Sequence, residues 1–362
     1  MPSLWIVPEK AGGIRTYSDV LLARLGAEAR AVSTLPDPSE LAYSTEDLIH
    51  LQHEFGLFGS KLPGRYRFPK WFASARRATP DVKWIATAHT VLDENWRYRT
   101  SGRGWKAVPF AILNLFAPLF RGSWMTKTWA GFDGVIVHSE LQREVILRSG
   151  APKVAVIPHF VPHPPAAVPE RSTEPTVLVF GYFSPEKGQD IAIKAWTELG
   201  DEAPRLILAG GIRRPEDRRY YDECMAEIQR RGLTEKVTVT GYLPDEALPD
   251  YFSIATLVLA PFRETSGSGS LATALGYGAA ILASDLPLNR EIETRVPGSL
   301  FFFRSESSES LAAAIRNLLD HPELRAQLRT GAKKYAETYS VERIAEMHRE
   351  FYDQILAPGR TS

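Results

Sequence analysis

Residues 176–190 read TVLVFGYFSPEKGQD. The run TVLVF has the composition of a buried strand, Gly181 ends it, and Lys187 and Gly188 stand where a helix begins near Asp190. Strand, glycine turn and helix in that order make one repeat of a parallel α/β sheet. Lys187 then either aims its ammonium at an anion beyond the strand ends or is a solvated side chain at a helix start; the residues alone leave both open.

Working outward, the same alternation continues on both sides. Downstream come RLILAGG (205–211), a helix over Tyr220–Arg231, KVTVTGYL (236–243), ATLVLAPF (255–262), a helix near Ser270–Tyr277, and AAILASD (279–285). Upstream lie LWIV (4–7), a helical stretch from Tyr17 to Leu25, LIHLQ (48–52), WIATAH (84–89), GVIVHS (134–139) with LQREVILRSG after it, and VAVIPHF (154–160). Between the two series, PHPPAAVPERSTEP (162–175) carries Pro162, Pro164, Pro165, Pro169 and Pro175, which suits an extended linker. The pattern predicts two doubly wound, Rossmann-like parallel-sheet domains at 1–163 and 176–338, joined by a linker at 164–175. Helical text follows Ser310 and ends in Val341–Leu356, with apolar residues at helical spacing. Two such domains leave an interdomain cleft at the carboxyl ends of their strands, where ligands of open α/β sheets bind.

Composition narrows the function. The chain has 362 residues and no net charge, which argues against a nucleic-acid partner, and its one cysteine, Cys224, excludes an internal disulfide and a cysteine-rich metal site. A reducing, cytoplasmic compartment is expected. The N-terminal MPSLWIVPEKAGG lacks a basic region and a long apolar run, so it reads as a first strand rather than a signal peptide. The charge is nonetheless segregated. Residues 60–130 hold 13 Lys or Arg against Asp81, Asp93 and Glu94, together with Trp71, Trp84, Trp96, Trp105, Trp124 and Trp129. Within them WKAVPFAILNLFAPLFRGSWM (105–125) is too short an apolar run to span a bilayer, which needs about 20 residues. It is either a core helix or hairpin with solvated arginines around it, or an acceptor-side surface that docks on an anionic membrane or a lipid-linked acceptor and so places the protein at the periphery of the inner membrane.

The motifs fall just after strands. Gly12-Gly13-Ile14 opens the first helix, a place where amides approach phosphate, although a plain turn reads equally well. Glu264-Thr265-Ser266-Gly267-Ser268-Gly269-Ser270 precedes another helix and reads as a phosphate nest. No GxxxxGK[ST] occurs, nor GxGxxG after a strand, which removes Walker-type nucleotidases and most dehydrogenases. Ser266 stands where a GxSxG elbow needs glycine, so a hydrolase reading is poor. The absence of Asp-x-Asp, the break of helical spacing by Pro162 in the His159–His163 pair and the strand-edge place of the His50–His53 pair predict no metal, and no cofactor is expected.

The ordered set of Gly12-Gly13, strand-end His89, Ser139, IPHFV, Gly181 to Lys187, Ala209-Gly210-Gly211, Val239 to Tyr242 and ATALGYGAAILASD resembles retaining glycosyltransferases of family 4, with the GT-B fold, over nearly the whole chain. The resemblance implies transfer of a sugar from a nucleotide-diphosphate donor to a hydroxyl acceptor with retention and without a metal, as a hexosyltransferase in polysaccharide or glycolipid synthesis. It makes Lys187 the lysine on the donor diphosphate, Tyr242 and Leu243 the loop against the nucleobase, and His89 the histidine near the sugar and its departing phosphate. It places Gly12, Gly13, Gly181, Tyr182, Gly210, Thr265, Ser266, Gly267, Ser268, Gly269 and Thr273 around the donor, and returns the helix at 339–362 to the N-terminal, acceptor-side domain. Two positions depart from the family. Tyr182 stands where the family has arginine, with Arg290 or Arg263 as substitutes, and the two glutamates eight residues apart fall on Thr265 and Thr273, with Glu264 one residue early as the catalytic-side carboxylate. These departures keep a second reading open, a GT-B-like binding subunit with little or no transferase activity.

Overall fold

The computed structural model describes residues 3–9, 13–26, 28–32, 35–41, 47–55, 66–94, 97, 108–164, 174–264 and 269–357. The chain forms two compact units, Met1–Pro158 with Val341–Ser362, and His159–Ser340. Most of the proline-rich stretch, 165–173, lies outside the described residues.

In the first unit the elements are β1 (Ser3–Pro8), α1 (Gly13–Leu25), β2 (Glu28–Val32), α2 (Pro38–Leu41), β3 (Leu48–His53), α3 (Phe68–Ala78), β4 (Lys83–Ala88), α4 (Val108–Trp129), β5 (Gly134–Val137), α5 (Glu140–Arg148) and β6 (Val154–Val156). The strands form one parallel sheet in the order β2-β1-β3-β4-β5-β6. β3 and β5 are buried at every position, as expected of strands covered on both faces. One face is an aromatic cluster: Phe72 stacks on Phe132 with centroids 4.2 Å apart, and Trp84 and Trp129 are fully buried beside them. Much of the tryptophan enrichment of residues 60–130 is therefore core; Trp96 and Trp105 lie outside the described residues.

The apolar stretch that Pro109, Asn114 and Pro118 punctuate in the sequence is one continuous helix, α4, with Pro118 in its interior. Such a proline removes one helical hydrogen bond and clashes with the preceding turn. α4 buries Ala117, Met125, Thr128 and Trp129 on one side and exposes Ile112, Leu115, Phe116 and Leu119 on the other. No described helix is long and apolar enough to cross a membrane.

The second unit runs β7 (Thr176–Phe180), α6 (Gln189–Leu199), β8 (Arg205–Ala209), α7 (Arg218–Arg230), β9 (Val237–Gly241), α8 (Leu248–Ile254), β10 (Leu257–Ala260), α9 (Gly269–Gly276), β11 (Ile281–Ser284), α10 (Pro287–Arg295), β12 (Phe301–Phe303), α11 (Ser308–Asp320) and α12 (Pro322–Thr338). Its parallel sheet has the order β12-β11-β10-β7-β8-β9, so the winding reverses between β7 and β10. Apolar clusters cover both faces, one under α6, α7 and α11, the other under α8, α9 and α12.

The chain then returns to the first unit as α13 (Val341–Leu356). Its buried stripe Val341, Ile344, Ala345, His348, Phe351, Tyr352 and Ile355 keeps helical period. The tips of Phe351 and Ile355 come within 2.7 and 2.8 Å of where a Cβ on Gly134 would stand, so the helix packs down onto the sheet at the glycine that starts β5, and a larger residue there would push those side chains aside.

Candidate active site

The reversal between β7 and β10 is the place where an open α/β sheet parts its loops to admit a ligand. Gly181 leaves β7 with φ +139°, and a short helical turn at Pro185–Lys187 leads through Gly188 into α6. A Cβ on Gly188 would lie 1.9 Å from the Pro261 carbonyl, so only glycine lets this turn sit against the end of β10. Lys187 is thereby carried across the gap. Its ammonium donates to Ser270 Oγ at 3.3 Å, at the start of α9, and lies 4.0 Å from the Phe262 ring centroid. Burial brings the ammonium down to about 8, with Glu186 opposing and Arg213 adding to the fall. A cation held in that state gains by meeting an anion.

Arg263 braces the turn from below. Its guanidinium grips Asp190 through two hydrogen bonds of 2.8 and 2.7 Å and donates to the Pro185 carbonyl, while Tyr220 donates to the same carboxylate at 2.7 Å. Burial pushes the Asp190 carboxyl up, but Arg263 and Tyr220 outweigh it and hold it at about 2. This ion pair commits Arg263 to the protein, so it is not the substitute cation the sequence suggested. Arg290 sits with its guanidinium carbon 3.9 Å from the Phe302 ring centroid and its Nη2 3.9 Å from Asp285 Oδ2.

The other expected donor residues of this unit follow β8, β9 and β10 of the same sheet. Gly210 follows β8 so closely against the turn that a Cβ there would lie 1.9 Å from the Gly181 carbonyl. Tyr242 follows β9 with an exposed ring, and its backbone nitrogen comes within 3.2 Å of a Cβ built on Gly211; Leu243 beside it is half-buried against the edge of the apolar cluster. Tyr182 is also exposed, its carbonyl held by Gln189 Nε2 at 3.0 Å. Glu264 is exposed, and Gly269 opens α9. The Thr273 hydroxyl donates to the Gly269 carbonyl at 2.9 Å. Thr265, Ser266, Gly267 and Ser268 lie outside the described residues.

The first unit carries the remaining expected residues. Gly13 opens α1 after β1, with open space where a Cβ would stand, while Gly12 lies outside the described residues. His89 follows β4, almost fully buried, with the Tyr17 and His138 rings 5.4 Å away. Its Nε2 donates to Gln52 Oε1 at 2.8 Å. The Gln52 amide then points its nitrogen at His50 Nε2, 3.3 Å away, which also accepts from Thr87 Oγ1 at 2.8 Å. His50 Nδ1 is left to donate to Tyr352 Oη at 2.5 Å. Burial holds His50 well below the usual histidine range, so the ring is neutral. The relay ties His89 to α13. Its signal in the sequence was LIHLQ, where His50 and Gln52 fall on one face of a strand otherwise apolar enough to be buried; the other end, Tyr352, carried no signal.

Residues 165–335 match the family of glycosyl transferases group 1. Among curated relatives, alpha-D-kanosaminyltransferase of Streptomyces kanamyceticus is 29% identical over 186 residues, covering 49% of this chain and 46% of the relative. GDP-mannose:glycolipid 4-beta-D-mannosyltransferase of Xanthomonas campestris is 25% identical over 181 residues, covering 50% and 49%. The chain spans about half the length of the curated relatives it matches. Anabaena HepE, crystallised with UDP, superposes with a TM-score of 0.72 at 15% identity, over 98% of this chain and 99% of that one. The fold is GT-B.

Proposed function

We propose that this GT-B chain is a metal-independent retaining glycosyltransferase of family 4, moving a sugar from a nucleotide-diphosphate donor to a hydroxyl acceptor. The carrying observation is the Lys187 ammonium, buried at the topological reversal of the second sheet and hydrogen-bonded to Ser270 at the start of α9. The match of residues 165–335 and the sugar-transferring activities named for the relatives support the same reading.

In the reaction the bond from the sugar C1 to the leaving phosphate breaks and a bond from C1 to the acceptor oxygen forms, the acceptor proton leaving with the nucleoside diphosphate. Negative charge grows on the departing phosphate, and a fixed cation and helix-start amides stabilise it without reorganising. Lys187 and Gly269 supply these on the second unit, where Tyr242 and Leu243 take the base and Glu264 is the carboxylate for the sugar; the family resemblance assigns His89 of the first unit the role of the histidine for the departing phosphate. The acceptor is a glycan or a lipid-linked hydroxyl. The exposed apolar face of α4, in a chain segment rich in Lys and Arg, is the surface that meets an anionic membrane in the cytoplasm.

A screen of UDP-, GDP- and ADP-sugars tests the function. One donor should raise the melting temperature by mass action, and with an acceptor extract it should release nucleoside diphosphate in the presence of a chelator. Stabilisation by a donor with no release against any acceptor would favour the binding-subunit reading; no stabilisation by any donor would overturn the proposal.

A further inference from the structure

Lys187 is one charge against the several that a diphosphate carries, and the position after the turn glycine holds Tyr182, an uncharged side chain. The backbone brings a second cation to that place from another loop. Gly181 N–H donates to the Ala209 carbonyl and Phe183 N–H to the Gly211 carbonyl, both at 2.9 Å, and Phe183 and Ile212 form a parallel bridge. The turn after β7 and the loop after β8 are thus stitched residue by residue. Arg213 is the next residue, and its exposed guanidinium lies 5.6 Å from the centroid of the Tyr182 ring, within reach of a cation–π contact. It is close enough to Lys187 to weaken the protonation of that ammonium, against the opposing pull of Glu186. Two like charges converge on one side of the strand ends, an arrangement that a polyanion relieves.

Resting on the glycosyltransferase reading, we propose that Arg213 is the second cation of the donor diphosphate site, delivered by the β8–α7 loop and held by the Tyr182 ring. The tyrosine is then a platform for the cation rather than its loss. A guanidinium on an exposed loop can fork to two phosphate oxygens, which the compact Lys187 ammonium does not do.

The test is calorimetric titration of the intact chain with UDP, GDP and ADP and with the matching nucleosides, over a range of salt. The wild type should bind one of the diphosphates. Arg213→Gln should weaken that diphosphate by about tenfold or more and flatten its salt dependence, leaving the nucleoside unaffected, on the scale of one charge-assisted contact. Because Arg213 is exposed, the melting temperature should not move. The double variant Tyr182→Arg, Arg213→Gln should regain much of the lost affinity. Equal diphosphate affinity and salt dependence in wild type and Arg213→Gln would overturn the assignment while leaving the glycosyltransferase reading standing. A wild type that binds none of the three diphosphates would overturn both.

Discussion

Lys187 is the side chain in which burial, geometry and charge meet. Burial lowers its ammonium to about 8, and on the proposed reading a bound diphosphate favours the charged form and raises that value. Binding must therefore take up a proton once the pH exceeds about 8, and affinity must fall as pH climbs through that value. Calorimetry at pH 8.5 in two buffers of different ionisation enthalpy should register the uptake, and Lys187→Ala should abolish it. The same variant should lose transfer by about two orders of magnitude or more, the scale of one preorganised charge contact. His89 poses a subtler case, because Gln52 accepts from its Nε2 and so settles which ring nitrogen carries the proton. Gln52→Glu keeps an acceptor there but adds a charge, which should raise the His89 pKa. Any acid limb in the pH profile of turnover that His89 causes should then move to higher pH, and a profile that scales down without shifting would mean that Gln52 only packs.

At the scale of elements, α13 and α4 invite opposite experiments. α13 buries Val341, Ile344, Phe351 and Ile355 among others in the first unit and ties Tyr352 to His50. Each large apolar side chain contributes roughly 1.5–3 kcal/mol on burial, and their sum rivals the 5–15 kcal/mol that typically holds a domain folded. A chain ending at Ser340 should therefore lose the cooperative melting of the first unit, as differential scanning calorimetry would record. α4 leaves Ile112, Leu115, Phe116 and Leu119 on its outer side, at the i, i+3, i+4 and i+7 spacing of one helical face. From Asn95 to Phe132 the chain has no acidic residue and six basic ones. Vesicles containing anionic lipid should sediment the protein at low salt and release it at high salt. Changing Leu115, Phe116 and Leu119 together to Ser should leave the fold intact and prevent sedimentation; sedimentation unchanged by this triple variant would mean that the apolar face has no part in it.

For the molecule as a whole, the buried histidines predict how stability responds to acid. Burial lowers His348 to about 4 and holds His50 well below its usual 6.5. The unfolded chain binds protons as pH falls below about 6.5 while these native sites do not, so stability is greatest above that value and declines toward pH 4. At about 1.4 kcal/mol per pKa unit the loss is on the order of a few kcal/mol, and His348→Gln should flatten the slope of melting temperature against pH between 6.5 and 4.5. Much of the architecture is legible in the sequence. Each strand and helix announces itself within a window of a few residues: TVLVF and GVIVH are apolar because both faces of their sheets are covered, and Gly181 and Gly188 mark turns because the backbone there takes positive φ. So the sequence by itself determined two parallel-sheet halves and the positions of Lys187, His89, Gly210 and Tyr242 just past strand ends. Only the tertiary structure decided what those residues meet. Lys187 and Ser270 are 83 residues apart and His50 and Tyr352 are 302 apart, and both pairs depend on which strands and helices lie side by side. The same holds for Arg263, which reads as a spare cation in the sequence and becomes the partner of Asp190 in the fold, and for Arg213, which has no motif and reaches Tyr182 because β7 and β8 are neighbours. Local patterning follows from the short range of backbone sterics and hydrophobic period, whereas contacts between side chains follow from sheet order, which no short window of residues contains.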